Sequence, residues 1–464
     1  MKKYNLSIFI LITLYSLLTS ASAQWLETTI PVGHNPLALA WNSTNNKIYC
    51  ANYGFGYRIY DSTVTVIDGE TNQVIATIIV GTCPRALLYN PINNKIYCAN
   101  SGEYPNLDST VTVISGTTDS VITTIRVGAS PFAFTYNSIN NKIYCANSYS
   151  YNMTVIDGAS DSVITTLPSG GEAMVYNTSN NKVYSPNYFG DSVSVIDGAT
   201  NQLIATIPMF YPRAFSYNPI NNEVYCAGGS NVAVIDGISN QVVATIPVGV
   251  YPYALVLNST NNKIYCANAA SDNITIIDGS TNQIITTTTV GDVPWALVFN
   301  PTNNKVYCAC AAIDSVTVID GLTNQVIATL GVGYQPQAFT YNPLQNRIYV
   351  GNYHGSSISV IRDSIISGIE ENHQPLTADR FLLEVYPNPA KTLTAIRYSL
   401  PAESKVSLQL YDISGRLVKT LVNEQKKQGN YSATLNSQTL PTGVYFLSLE
   451  TEEQRIIKRL VVVK

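Results

Sequence analysis

Charge is scarce in this 464-residue chain. Only 12% of residues are Asp, Glu, Lys or Arg, about half the usual share. No basic stripe exists to neutralise a phosphate backbone, which argues against nucleic acid as a partner. Histidine is scarcer still, with three residues, His34, His354 and His373, and no HExxH, GxSxG or P-loop pattern occurs. Beyond the first 20 or so residues no apolar run is long enough to span a bilayer. Six of the eight cysteines, Cys50, Cys98, Cys145, Cys226, Cys266 and Cys308, share one slot directly after a recurring Tyr. Ser185 and Val350 fill that slot elsewhere. A slot that accepts Cys, Ser or Val is a small buried position. Stacked sheets lie about 10 Å apart, whereas a disulfide needs Cα atoms within about 7 Å. Free, buried thiols are therefore expected.

What the chain has in abundance is repetition. Tyr49, Tyr97, Tyr144, Tyr184, Tyr225, Tyr265, Tyr307 and Tyr349 each sit in an Asn-Lys-Ile-Tyr type segment. An earlier Asn recurs in step at 42, 90, 137, 177, 218, 258, 300 and 342, with spacings of 48, 47, 40, 41, 40, 42 and 42. Each unit contains four short β-like runs separated by Asn-Asn and Asp-Gly turn chemistry. Four strands per unit of roughly 40–45 residues predict an all-β fold, a β-propeller. Eight four-stranded blades are expected, with seven as the alternative count. WLETTIPVG (25–33) matches the last strand of a repeat, and residues 337–361 supply only three strands. Residues 26–32 should therefore complete the final blade and close the ring, removing exposed edges.

The ends read differently. Lys2-Lys3, the apolar run 6–18 and Ala21-Ser22-Ala23 describe a secretory signal peptide, residues 1–23. The propeller is expected over 24–362, a polar linker over 363–379 and a second domain over 380–464. Residues 25–362 hold 12 Lys/Arg against 19 Asp/Glu, net −7, whereas 379–464 hold 12 against 8, net +4. That shift marks the boundary. Seven candidate strands in the tail predict a small C-terminal β-sandwich.

Two resemblances rest on these stretches. YNPINNKIYCAN (89–100), SVTVIDGLTNQVIATLGVG (315–333) and GVYPYALVLN (249–258) resemble the YVTN / YncE-like family of propeller repeats. YPNPA (386–390), AIRYSLP (395–401), VSLQLYDISGRLVKTL (406–421), LPTGVYFLSL (440–449) and KRLVVVK (458–464) resemble the C-terminal sorting domain of the type IX (Por) secretion system. The second implies export across an outer membrane, with the outer-membrane secretion machinery as partner, and a secreted or surface-attached product. The first implies a scaffold and says little about activity.

Chemistry is expected on one face only. The a–b and c–d turns hardly vary, so they serve the scaffold, and the Asp-Gly carboxylates read as turn formers. The opposite face varies and is aromatic. Its b–c loops carry Tyr53, Phe55, Tyr57, Arg58 and Tyr104. Its d–a loops carry Arg85, Phe132, Tyr211, Arg213, Tyr251, Tyr253, Trp295 and Tyr334. Aromatics with a few Arg on a rigid ring suit a glycan, peptide or protein ligand, though tyrosines can also plug a channel mouth. Ring closure could bring His34 and His354 together, with Asp61 or Glu103, as a metal or acid–base site. No cofactor and no catalytic residue is assigned. The expectation is a monomeric, secreted binding propeller. The alternatives are a lyase or hydrolase working at the channel mouth, and a component of an extracellular layer or adhesion structure.

Overall fold

The computed structural model describes residues 22–54, 61–187, 191–365, 382–386, 390, 393–412, 415–451 and 454–462. The chain divides into two compact units, Met1–Gly368 and Ile369–Lys464.

The first unit is an eight-bladed propeller. Seven sheets are four consecutive antiparallel strands, a to d, as in blade 7: Pro294–Asn300, Lys305–Cys310, Ser315–Asp320 and Val326–Gly331. Blades 1 to 7 cover 36–79, 84–126, 131–167, 175–208, 212–247, 252–289 and 294–331. Blade 8 takes three strands from the end, Pro336–Asn342, Arg347–Asn352 and Ser357–Ile365, and its fourth from the start, Ser22–Pro31. The ring closes as the sequence predicts. The expected leader lies outside the described residues except Ser22 and Ala23, which pair with Ile365 and Ser364.

Each blade interface buries its own apolar cluster. At the seam, Ile30, Tyr349, Ile358 and Val360 of blade 8 pack on Ile48, Cys50 and Ile67 of blade 1. A sheet this small cannot bury both faces alone, so stability resides in the stack. The recurring polar residues lock the stack in register. The strand-a Asn of every blade donates from Nδ2 to the second turn Asn of the next, at 2.7–2.9 Å: Asn42 to Asn94, Asn90 to Asn141, and so on to Asn342 with Asn46. All eight donors are fully buried. The acceptors sit in the left-handed region, φ 49–57°, which Asn tolerates best among side-chain-bearing residues. The strand-b Lys and Tyr reach the next blade in the same way. Lys95 and Tyr97 of blade 2, for example, both bond Asp161 in the c–d turn of blade 3, at 2.7 and 2.6 Å.

One boundary moves. The last strand runs on to Ile365, three residues into the expected linker, because Asp363 is fixed inside the ring by Lys305 and Asn300. The remaining linker, from 366, lies outside the described residues. All eight cysteines are free and buried.

The second unit contains all seven expected strands. Leu382–Tyr386, Leu393–Leu400 and Gly429–Asn436 form one sheet. Leu417–Lys426, Ser404–Asp412, Gly443–Glu450 and Arg455–Val462 form the other. Their facing sides share one core, including Leu383, Ile396, Leu408, Leu435, Leu447 and Leu460.

Candidate functional site

The d–a loops build the variable face by a repeated strained turn. The residue before each strand-a Pro has positive φ: Asn35, Cys83, Ser130, Tyr211, Tyr251, Val293 and Gln335, at 52–59°. Its carbonyl accepts from the b–c loop of the same blade, as in Ser101 N to Cys83 O and Ala269 N to Tyr251 O. An Asp or Ser ahead of strand c binds a backbone N–H of the loop, as Asp272 does with Val293 at 2.9 Å. The rim is therefore rigid, and side chains following the Pro project at the channel mouth from the first residues of strand a.

Three of these residues, with Glu172 from the loop before strand a of blade 4, form a continuous run across blades 4 to 7. The Arg213 guanidinium lies 4.7 Å from the ring centres of both Tyr251 and Tyr253. Tyr253 meets Trp295 at 3.9 Å. Glu172 stands 4.0 Å from Arg213 on the other side. Burial raises the Tyr253 pKa, opposed by the Arg213 charge, so the phenol stays a neutral donor. Desolvation works against the Arg213 cation, but Tyr253, Tyr251 and Glu172 outweigh it and raise its pKa. Tyr211 lies further out, 5.9 Å from Arg213, and is exposed.

A second group surrounds Arg85, whose guanidinium covers Phe132 at 3.7 Å and Tyr53 at 5.5 Å. Tyr53 itself is largely buried, at 8% exposure, with its ring against Arg85. Tyr334 is exposed beside His354, at 5.7 Å. Tyr104 stands at the tip of a hairpin, not the loop expected there, since Lys95–Glu103 and Asn106–Ser115 stay paired to Glu103 and Asn106. It meets Tyr149 at 6.5 Å. Phe55, Tyr57 and Arg58 lie outside the described residues.

His34 and His354 share a neighbourhood at the seam. His34 Nδ1 is 3.4 Å from Ser356 Oγ, and His354 Nδ1 is 3.2 Å from Asn35 Nδ2. Asp61, one of the two acids expected nearby, accepts from the His34 backbone N–H at 2.9 Å and the Thr63 hydroxyl at 2.6 Å. Among the described residues no three His, Cys, Asp or Glu converge to hold a metal ion.

Sequence reasoning missed a small open cleft of 160 Å³ beside the mouth, lined by Ser130, Ser148, Tyr149, Tyr151, Gly171 and Glu172. Its signal was a length difference. Residues 167–173 (LPSGGEA) cover what 246–254 (IPVGVYPYA) cover elsewhere, two residues fewer.

Comparison with known proteins separates the two units. No curated protein matches the chain. The computationally designed protein Ika8 is 17% identical, aligns over 72% of this chain and all of its own, and has a TM-score of 0.59. Sqt1 of Saccharomyces cerevisiae is 11% identical, with 74% of this chain and 99% of its own aligned, at a TM-score of 0.63. At such identities the likeness concerns the fold alone. Residues 384–463 match the family described as the secretion system C-terminal sorting domain. No helix among the described residues is long and apolar enough to cross a membrane. The tail is thus a sorting domain of the type IX (Por) kind, and the chain is a secreted propeller protein delivered by it.

Proposed function

We propose that the protein is a non-catalytic, surface-displayed binding propeller that takes an extracellular glycan or protein at its channel mouth. The Glu172–Arg213–Tyr253–Trp295 run carries this reading: one cation, one anion and two aromatic faces, contiguous across four blades and held on a rim whose loops are pinned by backbone bonds. Flat aromatic faces bind with little charge, and rigid placement reduces the entropic cost of association. The repeats' likeness to YVTN / YncE-like scaffolds agrees with it. An enzyme at the same mouth would need convergent acid and base groups, whereas Asp61 is committed to its loop and both histidines to hydrogen bonds at the seam. The test is a glycan and protein array probed with the full exported chain and with an Arg85→Ala, Arg213→Ala, Trp295→Ala triple variant. Loss of captured ligands in the triple variant supports the reading; binding that is unchanged refutes it.

A second reading, a component of an extracellular layer, has its own observation. Seven outer strands each expose a pair of apolar residues: Val74 and Ile75, Val121 and Ile122, Val163 and Ile164, Leu203 and Ile204, Val242 and Val243, Ile284 and Ile285, Val326 and Ile327, at 38–55%. Such a belt on unpaired edge strands is suited to lateral packing. Light scattering of the secreted form across a concentration series checks it, since a layer protein would self-associate.

A further inference from the structure

Among the described strands a, the repeat fails at blade 4, and a cavity opens beside it. Strand a of blade 4 is three residues, Val175–Asn177, where every other blade has seven. The loop before it is two residues short, and Gly171 stands where the other repeats have Pro. The short loop is packed hard against its neighbours. A Cβ on Gly170 would lie 2.1 Å from the Asn152 carbonyl oxygen, and one on Gly171 2.6 Å from the Pro186 ring. These glycines let the backbone sink, and the cleft occupies the space the missing residues leave.

We infer that this cleft, between Tyr149, Tyr151 and Glu172, is a subsite for one neutral sugar ring. It rests on the reading of the mouth as a binding surface and narrows the ligand to a glycan. Three observations support it. Size comes first: 160 Å³ lies below the roughly 300–1,000 Å³ of sites for drug-sized ligands, so the cleft admits a single ring and excludes a folded peptide. The lining is chemically matched. Tyr149 and Tyr151 are about half exposed and offer apolar faces to the C–H side of a pyranose. Ser130 and Ser148 supply hydroxyls, Ser148 being oriented by its bond to Ser130 O at 3.1 Å. The third is the carboxylate. Glu172 is held beside Arg213 but at 4.0 Å, with 30% of its side chain open, so its oxygens can accept from two vicinal sugar hydroxyls. A carboxylate acceptor roughly doubles the strength of a hydroxyl hydrogen bond. Glu172 also lines the cleft and begins the Arg213–Tyr253–Trp295 run, so a chain seated at the mouth would place a unit here. An anionic sugar is disfavoured by Glu172 itself.

The experiment is saturation-transfer NMR on the full chain with four probes: the methyl glycosides of glucose, galactose, mannose and N-acetylglucosamine. Variants are Tyr151→Ala, Glu172→Gln and, as a control in a c–d turn on the opposite face, the exposed Leu322→Ala, each with an unchanged melting midpoint. The expected result is transfer to at least one glycoside, reduced about tenfold or more in Tyr151→Ala and Glu172→Gln and retained in Leu322→Ala. No transfer to any of the four, or transfer that persists in both cleft variants, overturns the subsite. Array binding that depends on the mouth triple variant while no glycoside binds leaves the mouth reading and removes the subsite. Glycoside binding in the cleft with array binding indifferent to the mouth does the reverse.

Discussion

Lys305 and Asp363 meet in the interior of the ring, Nζ to Oδ1 at 2.5 Å, with side chains 1% and 0% exposed. Asn300 donates to the other carboxylate oxygen at 2.7 Å, and Gln24 accepts from the ammonium at 3.3 Å. Blade 7 is thereby tied to the last strand of blade 8 and to the N-terminal strand that completes it. Removing one partner leaves an uncompensated buried charge, which typically costs about 3–5 kcal/mol. Asp363→Ala and Lys305→Met should each destabilise the propeller by that order. The double variant Lys305→Met, Asp363→Leu should recover much of the loss, because an apolar pair avoids the desolvation cost. Thermal unfolding of the three variants measures it. Equal losses in single and double variants would show that packing, and not charge, sets the penalty.

The Asn ring offers a second measurement. Asn218 Nδ2 donates to Asn262 at 2.7 Å, and its Oδ1 accepts from Ile220 N at 3.0 Å. Asn218→Ala removes the partner of two part-buried polar groups at once. A loss of about 1–3 kcal/mol is expected, seen as a lower propeller melting midpoint. A midpoint equal to that of the parent would mean that water replaces the amide at the blade interface.

These two sites show what a sequence can disclose. The Asn at 42, 90, 137 and onward recur because every interface needs the same donor, so period and fold were readable together. The N-terminal strand was readable because WLETTIPVG repeats a local pattern. Asp363 was not, since its partner is 58 residues away and the stretch DSIIS has the composition of a linker. Tyr53 looked like an exposed rim tyrosine until Arg85 and its neighbours covered it. The cleft escaped because it arises from residues that are missing, and a deficit of two carries no side chain to notice. Side chains that converge across blades are set by tertiary geometry, which local periodicity does not encode.

Val293 occupies a conformation that suits it poorly. Its φ is 56°, and a left-handed β-branched residue is strained, by about 1–2 kcal/mol for L-residues generally. The equivalent position in blade 1 is Asn35, φ 53°. Val293→Asn should therefore stabilise the protein by about 0.5–1 kcal/mol, because Asn relieves part of that strain, while the backbone bonds to Asp272 and Ala311 persist. A rise in melting midpoint is the expected outcome. A fall would show that Val293 contributes more through packing than it costs in strain.

Acid should weaken the c–d turns. The Asp157 carboxyl is held below its ordinary 3.8 chiefly by the Ser160 backbone N–H, with the Ser160 hydroxyl and Ala159 N–H assisting. Thr200 does the same for Asp197, backbone first, and the Ser239 hydroxyl leads for Asp236. A carboxyl whose folded pKa is depressed supplies stability that is complete above its unfolded value, about 3.9, and is lost as pH falls through the folded value. Stability from these turns should thus be flat from pH 7 to about 5 and decline below about 4. The Asp157→Asn, Asp197→Asn, Asp236→Asn triple variant should be less stable at pH 7 and show a shallower decline between pH 4 and 2.5. Urea midpoints measured across that range decide the matter: parallel parent and variant curves would place the acid sensitivity elsewhere.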